Sequence, residues 1–174
     1  ADDKGVAYLK IEHENKKDEM KLWLPNFKKI RRISSRKKTE SFMGSDMSYE
    51  DMTSRNLNDY TYSITGFEKI DSLDCYILES IPNNIKTEYS KHKSWVTKDT
   101  YLTVKEESFD KNGKLLKNKS ITYNEIENYK IMKKLYVKNV QRNHQTVLKF
   151  DDIEVDTGIM DNVFHEKNLK RIPR

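Results

Sequence analysis

The sequence is poor in the residues that define several protein classes. Its 174 residues include 1 cysteine, 3 prolines and 5 glycines. A single cysteine excludes an internal disulfide and any metal site built from several thiolates. The low glycine and proline content excludes collagen-like and low-complexity chains. No apolar stretch reaches the roughly 18 residues that a membrane-spanning helix needs, so the sequence predicts no such helix.

Acidic residues are missing from one short part of the chain. The net charge of +5 comes from 33 basic and 28 acidic residues. Between positions 28 and 38 there is no acidic residue, and outside this segment 26 basic residues face 28 acidic ones. The basic character therefore belongs to seven residues of this segment: Lys28, Lys29, Arg31, Arg32, Arg36, Lys37 and Lys38.

An alternation of apolar and polar residues dominates the rest of the chain, and this period is typical of half-buried strands. It predicts strands at 5–13, 19–24, 27–33, 60–65, 73–81, 95–109 (as one or two strands), 115–126, 131–140 and 146–155. Asn112-Gly113 predicts a tight hairpin turn. Nine or ten strands joined by short turns favour an antiparallel sheet, and a sheet of this size tends to curl.

Helix signals are few. The best candidate is 48–55, where Ser48 followed by Asp51 resembles a capping box. Shorter helices are predicted near 85–92 and 158–165. Gly44-Ser45-Asp46, just before the first of these, lacks the pattern of a catalytic serine or a phosphate loop, so we expect a tight turn there.

Three stretches carry a resemblance to a known family. Residues 22–52 read LWLPNFKKIRRISSRKKTESFMGSDMSYEDM: a tryptophan-containing strand ending in Leu-Pro, a basic strand, and a Phe-Met-Gly-Ser-Asp element. Residues 94–117 and the C-terminal GIMDNVFHEKNLKR complete the pattern. Together they resemble the bacterial outer-membrane lipoprotein-sorting proteins, a branch of the LolA-like fold.

The resemblance implies a mainly β protein: a curled antiparallel sheet forming an incomplete, half-open barrel, with a few short helices covering its concave face. It implies a periplasmic or outer-membrane-associated carrier that sequesters the acyl chains of lipids or lipoproteins and works with envelope transport proteins. Such binding needs no catalytic residue, metal or cofactor, so we expect no enzyme. The alternative is a non-enzymatic interaction module of an envelope transport system, its cavity filled by its own or a partner's side chains.

The resemblance also bears on the domain boundaries. We expect residues 1–174 to form one LolA-like domain. Family members carry an N-terminal helix and further strands before the point that matches Lys4-Gly5, and we expect these elements to be missing here. An exposed sheet edge would then favour self-association through edge strands.

The expected cavity lining rests on strand alternation, so a register error of one residue would move a strand's set to the other face. The residues chosen are Leu9, Ile11, Leu22, Leu24, Tyr60, Tyr62, Leu102 and Val104. A mobile lid over the cavity is expected to use Met43, Met47 and Met52, because methionine adapts to irregular apolar surfaces.

The basic segment has three interpretations. The first is a solvated strand end and loop, with Ile30 and Ile33 packing inward. The second is contact with anionic lipid head groups or an acidic partner. Nucleic acid is the least favoured, since no nucleic-acid-binding motif accompanies the charge.

Other polar residues give weak signals for chemistry. His13, His92, His144 and His165 lack the spacing of a zinc site, so cap or surface positions are expected. The acids at 151, 152, 154 and 156 lack the pattern of a calcium loop, and a solvated edge is expected. Cys75 lies in a β-prone run and is expected to be a buried, inert thiol.

Overall fold

The computed structural model describes residues 4–13, 18–34 and 37–171. Ten strands in these ranges form two antiparallel sheets. The first sheet has the order β1-β2-β3, with β1 (Ala7–Ile11), β2 (Glu19–Leu24) and β3 (Lys29–Ile33). The second has the order β10-β9-β8-β7-β6-β5-β4, with β4 (Tyr60–Ile70), β5 (Leu73–Pro82), β6 (Tyr89–Thr97), β7 (Thr103–Asp110), β8 (Leu115–Ile126), β9 (Tyr129–Asn139) and β10 (His144–Lys149). The sheets do not close into a barrel, so the predicted fold class, mainly β and open, is confirmed.

The chain divides into two compact units. Residues 1–38 and 154–174 form one, and residues 39–153 form the other. The first unit contains the three-stranded sheet and two 3₁₀ helices, Asp161–Phe164 and Glu166–Lys170. The second unit contains the seven-stranded sheet. A single domain over residues 1–174 stays a prediction.

In the first unit, the 3₁₀ helix Glu166–Lys170 packs against β1 and β2. Leu169 is buried, Glu166 forms a 2.7 Å ion pair with Lys21, and the Lys170 ammonium lies 5.8 Å from the centre of the Trp23 ring. Lys21 and Trp23 are two positions apart on β2, so both side chains lie on the face that carries this helix.

Short hairpins connect the strands of the second unit. Between β7 and β8, Gly113 has a φ of +73° and donates its N–H to the Asp110 carbonyl at 2.9 Å. A positive φ suits glycine because it has no Cβ. The hairpin predicted from Asn112-Gly113 is therefore confirmed.

The helix predictions were largely wrong. Residues 49–52 form turns, and residues from Tyr89 onward belong to β6. Near the C-terminus, only the 3₁₀ helix Asp161–Phe164 lies within the predicted 158–165. The helical segments of the described residues are 3₁₀ turns of at most 5 residues, and none has the length and apolarity to cross a bilayer.

The capping box is present although its helix is not. Asp51 accepts the Ser48 N–H at 2.8 Å, and Ser48 Oγ accepts the Asp51 N–H at 3.2 Å. The helix does not continue because the side chains of Asp51 and Arg55 bind Lys119 and Glu106 of the seven-stranded sheet.

Candidate functional site

Strand pairing arranges one face of the seven-stranded sheet, which we call the inner face, into three rows. The first two, which we call the polar rows, run from β4 to β10. One consists of Tyr62, Ser80, His92, Ser108, Lys117, Asn139 and His144, and the other of Ile64, Leu78, Ser94, Glu106, Lys119, Val137 and Thr146. The third, which we call the apolar row, consists of Phe67, Tyr76, Val96, Ile121, Leu135 and Leu148; on β7 the ladder is bulged, so that Val96 pairs with Thr103 and Val104 is the extra residue.

The 39–55 segment joins the polar rows at their β10 end through Asp46. Its N–H donates to Thr146 Oγ1 at 3.0 Å, and its carboxylate accepts from Thr146 Oγ1 and His144 Nδ1, both at 2.8 Å. Met47, the next residue, is 3% exposed. This contact fixes the Phe-Met-Gly-Ser-Asp element against the edge strand.

Asp51 is the centre of a buried charged cluster. Its carboxylate accepts from the Lys119 ammonium at 2.6 Å, from Lys117 at 2.9 Å and from the Tyr89 hydroxyl at 2.9 Å. Burial opposes ionisation, but the Coulombic effect of Lys119 and Lys117 outweighs it and holds the pKa of Asp51 well below its usual range. The same Lys117 also donates to Glu88 at 3.0 Å.

Glu106 is the second buried carboxylate of the cluster. Arg55 binds it with two hydrogen bonds, of 2.6 and 2.8 Å, and Lys119 and Ser94 donate to it at 3.1 Å each. A bidentate guanidinium–carboxylate pair is among the stronger charge-assisted contacts. Burial again opposes ionisation, yet Lys119 and Arg55 hold the pKa of Glu106 well below its usual range.

His92 lies beside this pair and is 1% exposed. Arg55 Nη2 lies 3.2 Å from its Nδ1 and can only donate, so Nδ1 accepts and the neutral ring carries its proton on Nε2. Burial, followed by the neighbouring charge of Arg55, lowers the pKa of His92 to about 3. Nε2 has no hydrogen-bond partner among the described residues.

The charges of the cluster balance. Three carboxylates, Asp51, Glu88 and Glu106, face three cations, Arg55, Lys117 and Lys119. Each charged group already has an opposite charge within hydrogen-bond distance. The cluster therefore acts as an ionic lock, which we name the charged lock, between the 39–55 segment and the polar rows. This pairing favours a structural role over general acid–base chemistry.

A small cleft lies at the lysine end of the charged lock. Its volume is about 180 Å³, and its lining includes Ser41, Ser45, Asp46, Glu88, Asn139 and Arg142. Small-molecule sites typically have about 300–1,000 Å³ and mostly apolar walls. The size and polarity of this cleft do not suit an acyl chain.

The apolar row has a different character. Five of its six residues are half-buried, and Phe67 is exposed. Its side chains are aliphatic or aromatic on the six strands other than β7, where Thr103 and Val104 lie at the bulge. The row lies next to the second polar row.

The structure places the predicted cavity residues in several locations. In the second unit, Tyr60 and Tyr62 lie on the inner face, whereas Leu102 lies in the loop before β7. Val104 is the extra residue of the β7 bulge, next to Thr103, which pairs with Val96.

In the first unit, pairing separates the predicted residues into two sets. Leu9 pairs with Lys21, and Tyr8 pairs with Leu22. Directly paired residues share a face, so Leu9 and Ile11 lie opposite Leu22 and Leu24. These four residues do not line one surface together, although Leu9 and Leu22 are both buried.

The predicted lid and head-group residues differ in exposure. Met47 is buried, and Met43 and Met52 are half-buried. Lys28, Lys29, Arg31, Arg32 and Lys37 are exposed, Lys38 is half-buried, and Arg36 lies outside the described residues. Lid movement and head-group contact stay predictions.

The remaining candidates from the sequence are the cysteine, the histidines and possible metal ligands. Cys75 is buried, as expected, and burial raises the pKa of its thiol. The expectation that histidines occupy cap or surface positions is wrong for His92. In the part of the chain that the structure describes, no group of three or more His, Cys, Asp or Glu side chains is placed to hold a metal ion.

Sequence reasoning missed the charged lock because alternating charged residues in a strand usually face water. The available signal was the pairing of two such strands: Lys117 and Lys119 of β8 lie opposite Ser108 and Glu106 of β7. Arg55, which completes the lock, lies 51 positions from Glu106. Only the tertiary structure brings the two together.

Comparisons with known proteins extend these findings. Residues 1–171 match the model of a protein family described as "-like: Uncharacterized protein". A search of curated proteins gives no match. Similar solved structures include a provisionally assigned outer membrane lipoprotein-sorting protein domain from Vibrio parahaemolyticus, 34% identical, with a TM-score of 0.90 over 96% of this chain and 72% of that one.

Two further structures are similar. A DUF1329 family protein from Desulfovibrio piger ATCC 29098 is 34% identical, with a TM-score of 0.89 over 97% of this chain and 72% of that one. The LolA superfamily protein NE2245 from Nitrosomonas europaea is 20% identical, with a TM-score of 0.64 over 86% of this chain and 70% of that one. The last similarity concerns the fold alone.

Proposed function

Since this chain belongs to the family of outer membrane lipoprotein-sorting and DUF1329 proteins, which have the LolA-like fold, we propose that it is a non-enzymatic carrier of lipids or lipoprotein acyl chains. We place its work in the periplasm or at the outer membrane, alongside proteins of envelope transport. The similarity to the Vibrio outer membrane lipoprotein-sorting protein domain supports lipoprotein sorting as the process.

The observation that carries the proposal is the apolar row. Six inter-strand spacings of about 4.8 Å give it a length of roughly 29 Å. Each methylene of a bound chain gains about 0.8 kcal/mol when it leaves water. A surface of this length and composition therefore binds an acyl chain by burial alone, without hydrogen bonds or a reactive group.

The charged lock supports the same proposal in a second way. It fills the polar rows with side chains of the protein itself, so the hydrophobic contact of a ligand is directed to the apolar row. The lock also supports the absence of catalysis in this proposal, because its carboxylates and ammonium groups are engaged with each other.

Neighbouring residues on β10 provide the test. Leu148 lies in the apolar row, whereas Val147 points to the opposite face and is 44% exposed. We expect Leu148→Glu to weaken binding of an environment-sensitive fluorescent fatty acid at least roughly tenfold, because a carboxylate would be desolvated next to the chain. Val147→Glu introduces the same charge one position away and should leave the affinity unchanged.

Circular dichroism of both variants checks that the sheet is intact. Equal loss of affinity in the two variants would contradict the proposed site. Failure of the wild-type chain to bind the probe would contradict the carrier function.

A second candidate is an interaction module whose inner face is filled by its own side chains. The charged lock favours it, because the polar rows are already covered by the 39–55 segment. Native mass spectrometry separates the two candidates. A carrier is expected to retain co-purifying lipid, whereas the module is expected to show the mass of the protein without lipid.

A further inference from the structure

The turn between β2 and β3 holds an aromatic side chain out into solvent. Pro25–Phe27 forms one turn of 3₁₀ helix, and Phe27 is 70% exposed. Proline fixes the backbone at the start of the turn. Lys28 closes it with a φ of 49° and an N–H bond to the Pro25 carbonyl at 3.1 Å. The exposed ring is therefore held on a tight turn.

Basic residues, without acidic ones, adjoin this ring along the chain. No acidic residue occurs between positions 20 and 39. Lys28 and Lys29 follow Phe27 directly and are exposed, and neither forms an ion pair with any residue that the structure describes. The Lys170 ammonium lies 5.8 Å from the centre of the Trp23 ring, and Trp23 is on β2 near the turn. Three ammonium groups thus belong to the same end of this small sheet as Phe27.

We propose that this hairpin tip docks the protein on an anionic bilayer surface. Phe27 enters the boundary between head groups and acyl chains, while Lys28, Lys29 and Lys170 contact lipid phosphates. Exposed apolar side chains beside basic residues are the features by which proteins bind to the surface of anionic membranes.

An anionic membrane fits this surface better than an acidic protein does. A stable protein partner typically covers about 800 Å² on each side. One aromatic ring on a tight turn, with Lys28, Lys29 and Lys170 at the same end of the sheet, offers far less than that area. A bilayer requires only a small insertion and adds a long-range attraction for each positive charge.

The docking site is separate from the proposed acyl site. The hairpin belongs to the first unit, and the apolar row belongs to the second. Failure of acyl-chain binding would therefore leave the docking proposal standing, and failure of docking would leave the acyl site standing.

Vesicle sedimentation of the full chain tests the proposal. We expect binding to vesicles of phosphatidylcholine mixed with phosphatidylglycerol, and little binding to phosphatidylcholine alone. Phe27→Ala should weaken the binding roughly tenfold, because the variant lacks the aromatic ring that enters the bilayer. Lys28→Glu with Lys29→Glu should weaken it further, since each basic residue is worth about fivefold.

Matched controls separate docking from general attraction. Tyr101→Ala removes another aromatic residue, 72% exposed, from the second unit. Lys133→Glu with Lys134→Glu produces the same change in net charge on β9. Both controls should bind as the wild type does. As an independent readout, Phe27→Trp should add tryptophan emission that shifts to the blue on anionic vesicles.

Three outcomes would overturn the proposal. The first is no binding of the wild type to anionic vesicles. The second is an unchanged affinity in Phe27→Ala. The third is equal losses in the hairpin and control variants, which would show attraction by net charge without a docking site. Salt-sensitive capture by an acidic protein without vesicle binding would assign the surface to a protein partner.

Discussion

The polar rows and the apolar row lie side by side on the same strands, yet their side chains have opposite requirements when they are removed from water. In the polar rows, buried ions require partners of opposite charge, and the chain supplies them from the 39–55 segment. The apolar row gains free energy from any apolar group that covers it, so it needs no partner of fixed geometry. The polar rows are therefore occupied by the protein itself, and the apolar row is the part that we propose for a ligand.

The largest effect is expected from breaking the charged lock at Asp51. Asp51→Asn keeps the shape of the side chain but leaves Lys117 and Lys119 with one counter-charge fewer in a buried site. Breaking a buried ion pair in this way typically costs about 3–5 kcal/mol. Urea unfolding should show a loss of that size in the free energy of unfolding.

An exposed ion pair gives the control for Asp51. Glu125 pairs with Lys130 on the surface, and Glu125→Gln should cost no more than about 1 kcal/mol. If Asp51→Asn proves as mild as Glu125→Gln, the cluster does not lock the 39–55 segment.

A smaller effect, dependent on pH, is expected from His92. Its pKa is lowered to about 3 in the folded state, whereas an unfolded histidine takes up a proton below about 6.5. The unfolded state therefore binds more protons in this window, and folding stability falls as the pH drops from about 6.5 towards 3. Between pH 7.5 and pH 5, the expected contribution of His92 is a loss of about 2 kcal/mol.

Unfolding of His92→Gln at the two pH values measures this contribution. The variant should lose about 2 kcal/mol less than the wild type over the interval. Both measurements lie above the range where unfolded carboxyl groups titrate, so the lowered pKa values of Asp51 and Glu106 do not enter. His165→Gln, at an exposed position, should keep the pH dependence of the wild type. Identical curves for wild type and His92→Gln would contradict the buried neutral imidazole.

The smallest effect on stability is expected in the apolar row. Ile121→Ala removes half-buried methyl and methylene groups, so unfolding should change by only about 1 kcal/mol. Binding of the fluorescent fatty acid should weaken roughly tenfold, because the bound chain loses the same contact. A large loss of stability with unchanged binding would place Ile121 in the core and not in a ligand site.

Much of the fold could be predicted from alternation and turn residues. The strands around Leu22, Tyr76 and Val137 follow period two, and Asn112-Gly113 marks the hairpin. The capping box of Ser48 and Asp51 is also a local signal, but it does not establish a helix. The helix is replaced by turns because Asp51 and Arg55 gain more from the buried charges of β7 and β8.

The candidate site was only partly predictable. Alternation put Tyr60 and Tyr62 on one face, as the pairing of β4 with β5 does, but it did not show that Leu9 and Leu22 point to opposite faces, because that depends on the pairing of β1 with β2. It also gave no means of telling that Lys117 and Lys119 face inward. That orientation depends on Asp51, which lies 66 positions from Lys117 and 68 positions from Lys119 along the chain.

Photo-cross-linking with a diazirine fatty acid tests most directly whether the polar rows and the apolar row differ in this way. After irradiation and digestion, mass spectrometry should locate the label on peptides that contain Val96, Ile121, Leu135 or Leu148. Leu148→Glu should reduce the labelling, and Val147→Glu should not. Labelling concentrated on the 39–55 segment, or on the opposite face of the sheet, would contradict the account.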